Sequence, residues 1–282
     1  MTTTAGKRAA DDTADAWCEP PPAREGEEIA PDYRVIGHLN RAEVLDVYDV
    51  WSESRGCRCV AKMLRPDRGS DAVARERLLR EGAMLERLSH PHIVRAYETV
   101  RTPQPVVILE TLTGETLAHL VARSTRRLGV ADVCHLGLHV VSAVGYLHRN
   151  GTLHLDLKPS NIIATDGMAK VIDLSLARPP GPVPRGLGTR QYMAPEQARG
   201  GDATTASDVW GVGAVLFAAA AGRRPFESLP DGYDQLGRRA ERLGRLRRVP
   251  VRLGDAVDAC LEPHPEDRPS LADLGEALMA CL

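Results

Sequence analysis

The six cysteines, at positions 18, 57, 59, 134, 260 and 281, contain no Cys-x-x-Cys pair and fit no zinc-ligand spacing. Cys57 and Cys59 stand two apart in a strand-like run, so they are expected to share one face as small packing residues. No basic-then-apolar segment opens the chain, and the longest apolar run, Gly211 to Gly222, is too short to cross a bilayer. Neither charge dominates: 36 basic residues stand against 38 acidic ones, which gives no reason to invoke nucleic acid. These absences predict a cytoplasmic protein with no membrane or nucleic-acid partner. Two local absences bear on chemistry. LNRAEVLDVY, residues 39–48, has no glycine, and LARPPGPVPRGLG, residues 176–188, has no Ser, Thr or Tyr.

What is present divides the chain. Residues 1–30 carry seven acids against three bases, the triplet Pro20 to Pro22 and almost no apolar periodicity. Such a segment cannot offset the entropy of ordering, and it is expected to be a disordered acidic tail. From Tyr33 to Lys62 β-branched and aromatic residues run in short stretches broken by the turn composition SESRG. Leu78, Leu85 and Leu88, with Met84, predict a helix over 71–89, and PVVILE at 105–110 predicts a strand. Farther on, Val133, Leu136, Val140, Val144 and Leu147 step by helical intervals up to Asn150-Gly151. Two short strands, NIIAT and AKVID, flank the turn Asp166-Gly167. A helix is expected from Ser207 to Ala221 with Gly222 as its cap, and a last one from Ser270, with Leu271, Leu274, Leu278 and Leu282 on one face. Gly237 to Arg252 holds seven arginines and one acid, Glu241; this reads as a solvated helix face, with an acidic docking partner as the alternative.

Reactive groups are densest in HLDLKPSN, residues 154–161. Asp156, Lys158 and Asn161 fall in a loop between a helix and a strand, and Asp173 follows in VIDLS. An Asp and an Asn that share an oxygen-only site suit Mg²⁺, which keeps waters and phosphate oxygens in its shell. With Lys62 in a strand and Glu81 nineteen residues later in a helix, this ordered set resembles the protein kinase family, in particular bacterial serine/threonine kinases, over roughly residues 33–282.

The resemblance implies an α+β, two-lobed fold: a small β-rich lobe with one main helix over residues 31–112 and a larger helical lobe over 113–282. It also implies roles. Lys62 would neutralise the α/β-phosphates of ATP with Glu81 as its helix partner. Asp156 would orient the acceptor hydroxyl, Lys158 would be the cation near the transferred phosphoryl, and Asn161 and Asp173 would hold Mg²⁺. Leu39, Asn40, Ala42 and Val47 would border the nucleotide from the first hairpin; Glu110, Thr111 and Leu112 fall where the adenine would meet the backbone between lobes. GTRQYMAPE, residues 188–196, resembles the segment that docks the substrate peptide, with Thr189 in the family's threonine position and Glu196 paired to Arg268. Asp208 matches the acid that holds the catalytic-loop backbone. His154 is expected to be structural.

Three departures from the pattern stand out. The glycine positions of the family's phosphate loop fall on Asn40, Ala42 and Leu45, so a branched side chain occupies a site where left-handed backbone is usual. Leu155 stands where many kinases have an arginine that binds a phosphate on the activation segment, and that segment has no residue to phosphorylate. Asp173-Leu174-Ser175 replaces Asp-Phe-Gly. The implied activity is Mg²⁺- and ATP-dependent phosphorylation of Ser/Thr on a protein substrate, independent of activation-loop phosphorylation. A pseudokinase with weak nucleotide binding is the alternative, and a small-molecule phosphotransferase ranks below it. Regulation is expected to come from the tail, a partner or expression.

Overall fold

Strand propensity and alternating burial build the small lobe. A computed structural model describes residues 19–124, 127–165 and 167–282. Six antiparallel strands, β1 (Glu28–Ala30), β2 (Tyr33–Arg41), β3 (Leu45–Ser52), β4 (Cys57–Leu64), β5 (Ala96–Val100) and β6 (Val106–Glu110), lie in the order β1-β2-β3-β4-β6-β5. One face buries Tyr33, Val35, Tyr48, Val50, Cys59 and Ile108. The helix α1 (Ala72–Arg87) packs on the opposite face through Leu78 and Leu85, beside Leu64 and Val107. Its N-terminus is capped by Asp71, whose Oδ1 accepts from the Ala74 amide at 2.9 Å. β5 was not singled out in the sequence: AYETV mixes the polar Glu98 and Thr99 with Ala96, Tyr97 and Val100, and its strand conformation comes from pairing with β6.

The expectation that residues 1–30 stay outside the fold does not hold for 19–30; residues 1–18 lie outside the described residues. Glu19 meets Arg65 at 3.0 Å and Arg41 at 3.8 Å, the Pro20 carbonyl accepts from Arg41, and β1 pairs with β2. Acids and prolines read locally as a tail become ion-pair and hydrogen-bond partners once the fold brings Arg41 and Arg65 to them.

In the large lobe β7 (Glu115–Thr116), α2 (Leu117–Arg123) and α3 (Val130–Arg149) lead to β8 (Ile162–Thr165) and β9 (Met168–Val171). By length and composition α3 could cross a membrane, but its stripe Val133, Leu136, Val140, Val144 and Leu147 is buried in the lobe core. Asp166 of the turn between β8 and β9 is outside the described residues. β10 (Gly181–Pro182) and β11 (Asp202–Ala203) pair on either side of α4 (Pro195–Arg199). α5 (Thr205–Ala221) is buried from Ser207 to Ala221 and ends at Gly222 in left-handed conformation. A Cβ at Gly213 would lie 2.4 Å from the Cβ of Cys260, so glycine is what lets α8 (Val251–Cys260) press against α5. Two single turns, α6 (Asp234–Gly237) and α7 (Leu243–Leu246), precede α8, and α9 (Leu271–Met279) closes the lobe with Leu274 and Leu278 buried. The arginine-rich stretch is therefore not one helix face. Arg238 pairs with Asp234 and Arg239 with Glu262, and Arg247 donates to the Leu128 and Ala220 carbonyls. Arg242, Arg245, Arg248 and Arg252 are exposed.

Candidate active site

The strand β4 carries Lys62 on the face that looks at α1, and α1 carries Glu81 toward it. The ammonium lies 2.8 Å from Glu81 Oε2 and 3.0 Å from Asp173 Oδ1. Glu81 Oε1 also accepts from the Leu174 amide at 3.1 Å, so α1, β4 and the segment after β9 meet at one charge cluster. Burial works against the Lys62 ammonium, but the Glu81 and Asp173 carboxylates outweigh it and hold its pKa above that of an ordinary lysine. Burial likewise works against the Asp173 carboxylate, and Lys62 reverses this, leaving it well below the usual carboxylate range. Glu81 carries the cost: burial, added to the nearby Asp173, pushes its carboxyl up against the pull of Lys62. An extra cation beside Asp173 would relieve this crowding of two acids on one base.

The loop of residues 154–161 is held from below by Asp208. Its Oδ2 accepts from the His154 amide and its Oδ1 from the Leu155 amide, both at 2.8 Å, while His148 Nε2 lies 2.8 Å from Oδ2. Gln197 Nε2 donates to the Leu155 carbonyl at 2.8 Å. Leu155 sits at φ 63°, a left-handed conformation that costs a branched residue about 1–2 kcal/mol, and these bonds to both of its peptide groups hold it there. Asp173 is left-handed as well, at φ 66°. His154 is fully buried, with Nδ1 accepting from the Asp156 amide at 3.2 Å and Nε2 without a partner among the described residues. His148 and Gln197 were missed in the sequence, because neither lies within a motif whose chemistry calls for it.

This scaffold aims the reactive groups. Asp156 Oδ2 meets Lys158 Nζ at 2.8 Å, and Oδ1 accepts from the Thr189 hydroxyl at 2.7 Å and its amide at 2.9 Å. Lys158 reaches the Thr189 hydroxyl at 2.8 Å. Asn161 Nδ2 donates to the Asp156 carbonyl at 3.0 Å and to its Oδ2 at 3.3 Å, and its amide oxygen has no partner among the described residues. Thus Lys62, Glu81 and Asp173 form one cluster and Asp156, Lys158, Asn161 and Thr189 another.

The hairpin residues fall differently. Leu39, Asn40 and Ala42 are exposed and Val47 is half-buried. Neither Asn40, Ala42 nor Leu45 adopts positive φ, so the left-handed backbone expected at these positions is absent. The turn closes tightly instead, with the Ala42 amide on the Leu45 carbonyl at 2.8 Å. Arg41 grips the fully buried Asp46 through two 2.8 Å bonds, and His38 Nε2 adds a third partner at 3.0 Å. Leu45 pairs with Leu64 across the ladder, and both Val44 and Leu45 pack against the main core. Glu110 does not join the charged cluster: its carboxylate accepts from the Arg95 amide and from Lys170, tying β6 to β9. Leu112 packs on the core, and the buried Thr111 hydroxyl has no partner among the described residues.

Leu155 also explains how the activation segment is fastened. It forms a buried apolar cluster with Leu153, Val183 and Ala203, against which Leu187 packs. Gln197 adds a bond to the Leu187 carbonyl at 2.9 Å, and Gly186 donates to the Gln197 carbonyl at 2.8 Å. Glu196 and Arg268 form the expected pair, at 2.8 and 2.9 Å.

The protein kinase domain pattern matches residues 33–278. The chain belongs to the protein kinase family. Among curated relatives, the serine/threonine-protein kinase PknA of Corynebacterium glutamicum is 32% identical over 217 residues, 71% of this chain and 45% of that protein. CBL-interacting protein kinase 4 of Oryza sativa is 31% identical over 263 residues, 88% of this chain and 57% of that protein. The chain thus spans about half the length of these relatives. The kinase domain of Mycobacterium tuberculosis PknI has the same fold, with a TM-score of 0.73 at 23% identity, covering 93% of this chain and all of that one. The two-lobed kinase fold inferred from Lys62 to Arg268 is therefore correct.

Proposed function

We propose that this kinase transfers the γ-phosphoryl of ATP to a serine or threonine hydroxyl on a protein. The observation that carries the reading is the bonded set Asp156, Lys158, Asn161 and Thr189 beside an assembled Lys62–Glu81–Asp173 cluster. Phosphoryl transfer is catalysed mainly by positioning and charge neutralisation, so a preorganised set of this kind is what the chemistry needs. The Asp156 carboxylate, anchored through its neighbours, orients an incoming hydroxyl and accepts its proton as transfer proceeds. Lys158 screens the phosphoryl oxygens, and Lys62 binds the phosphates behind it. The donor set fits Mg²⁺: Asn161 keeps its amide oxygen and Asp173 its Oδ2, two oxygen ligands that leave the remaining positions to water and phosphate. When bound, the ion supplies neutralisation of phosphate charge.

The apolar cluster around Leu155 supports independence from activation-segment phosphorylation, because it joins catalytic loop and segment without an ion pair. Treatment of active protein with a broad-specificity phosphatase is expected to leave its transfer rate unchanged; loss of activity that returns on rephosphorylation contradicts this.

One observation favours the rival reading, a regulatory domain with weak nucleotide binding: the closed, ion-paired hairpin. Two measurements weigh it. Mg²⁺-ATP at a hundred times its dissociation constant is expected to stabilise the protein against heat by about 2.7 kcal/mol. Leu45→Gly, which frees the hairpin from the core, is expected to tighten ATP by about 1 kcal/mol, roughly fivefold in Kd, by calorimetric titration. An unchanged Kd means that this hairpin does not limit binding.

A further inference from the structure

Two arginines close in sequence to Thr189 have no acidic partner among the described residues. Arg190 follows Thr189 directly, and Arg185 lies four residues before it. Both guanidinium groups lie over the ring of Tyr233, at 5.8 and 5.9 Å from its centroid. Cation and ring attract through the ring quadrupole, so the aromatic holds two like charges near one another. Tyr233 itself is fixed: its hydroxyl fits against Gly186, where a Cβ would come within 2.1 Å and where φ is +77°. Arg190 Nη1 donates to the Leu229 and Pro230 carbonyls at 3.2 and 3.3 Å, and Gln235 Nε2 holds the Arg190 carbonyl at 3.0 Å. These are neutral partners. The acids of the same surface are engaged elsewhere, Glu227 by Arg224 and Asp234 by Arg238, and Asp231 has no cation within 4.0 Å among the described residues. Arg185 and Arg190 are both exposed.

We infer that Arg185, Tyr233 and Arg190 form a substrate-selecting cradle for protein segments that carry Asp or Glu within two or three residues of the phosphorylated Ser or Thr. This rests on the kinase reading above and deepens it. An acceptor hydroxyl on Asp156 must lie close to Thr189, whose own hydroxyl is bonded to that carboxylate. An extended peptide advances about 3.3 Å per residue, so carboxylates two or three residues from the acceptor are brought within reach of arginines that stand one and four residues from Thr189. Arg is suited to this task because its planar fork meets a carboxylate with two parallel bonds while its face rests on an aromatic ring.

The test compares two serine peptides of equal length, one with Glu at the positions flanking the acceptor and one with Ala, under Mg²⁺ and labelled ATP. Exposed ion pairs contribute modestly, so two of them are expected to give the Glu peptide about a tenfold higher kcat/KM. In Arg185→Gln/Arg190→Gln that ratio is expected to fall below about threefold, and Arg185→Lys/Arg190→Lys to recover part of it. Binding is followed separately, by fluorescence anisotropy of the Glu peptide with its serine replaced by alanine; the affinity is expected to weaken in the Gln variant and at higher salt. Transfer to both peptides at equal kcat/KM overturns the cradle and leaves the kinase reading intact. No transfer to either peptide, with anisotropy still dependent on the two arginines, overturns the substrate-selecting role together with the kinase reading it rests on and leaves only a surface that binds acidic segments. Equal anisotropy for wild type and Gln variant overturns the cradle.

Discussion

Asp156→Asn is expected to lower phosphoryl transfer by about 10²–10⁴-fold, the usual range for removing a positioned general base. The substitution is close to isosteric, and the amide oxygen still accepts from the Thr189 amide and hydroxyl, which meet Oδ1 at 2.9 and 2.7 Å. Asn161 keeps its 3.0 Å bond to the Asp156 backbone carbonyl and loses only the longer 3.3 Å bond to Oδ2. Lys62, Glu81 and Asp173 form a separate cluster, so nucleotide affinity is expected to survive. The measurement is incorporation of labelled phosphate into a protein acceptor, with thermal stabilisation by Mg²⁺-ATP as a control for folding and binding. Equal incorporation by both proteins removes Asp156 from the mechanism and with it the enzyme reading.

Arg268→Ala is expected to cost about 3–5 kcal/mol, because it leaves a carboxylate without its partner in the interior. The Arg268 side chain has no exposed surface, and each of its donors is engaged. Nε meets the Glu262 carbonyl, Nη1 meets Glu196 Oε1 and the Ala206 carbonyl, and Nη2 meets Glu196 Oε2 and the Pro263 carbonyl. The guanidinium also lies 5.1 Å from the Trp210 ring centroid. Lysine cannot replace it, since an ammonium has three donors and no planar fork. Unfolding by urea or heat reads the loss, with a Tm lower by roughly 10 °C for a chain of this size. A loss below 1 kcal/mol contradicts the assignment.

The same pair sets an acid limb of stability. Burial alone would push the Glu196 carboxyl up, but Arg268 and the Ser207 hydroxyl hold it below the usual range. A depressed carboxylate pKa contributes stability that is present above the unfolded value of about 4.3 and is lost as pH falls through the folded value. Wild-type stability is therefore expected to fall below about pH 4, and this part of the fall to be absent in Arg268→Ala.

The charged site was legible because its chemistry is tied to spacing. Lys62, Glu81, Asp156, Lys158, Asn161 and Asp173 could be placed from strand, helix and loop patterns, and the structure brings them into two adjoining clusters. Glu196 with Arg268, and Asp208 beneath the loop at 154–161, were placed by the resemblance to the kinase family, and the observed contacts agree with it. The hairpin's closure was not legible, because the family pattern speaks of glycine whereas here Arg41 and Asp46 hold the turn without positive φ at Asn40, Ala42 or Leu45. Residues 19–30 were misjudged because composition counts acids without knowing which arginines will stand beside them.

The sequence by itself determined the two-lobed fold, the order of its main elements and the identity of the reactive side chains, since periodicity and motif spacing act over short stretches of chain. Only the tertiary structure decided that Leu155 joins the activation segment through Leu153, Val183 and Ala203, that Glu19 and Pro20 belong to the small lobe, and that Arg185 and Arg190 share one aromatic ring. Each of these depends on partners dozens of residues apart or on directions of approach, and neither distance nor direction is written in local pattern.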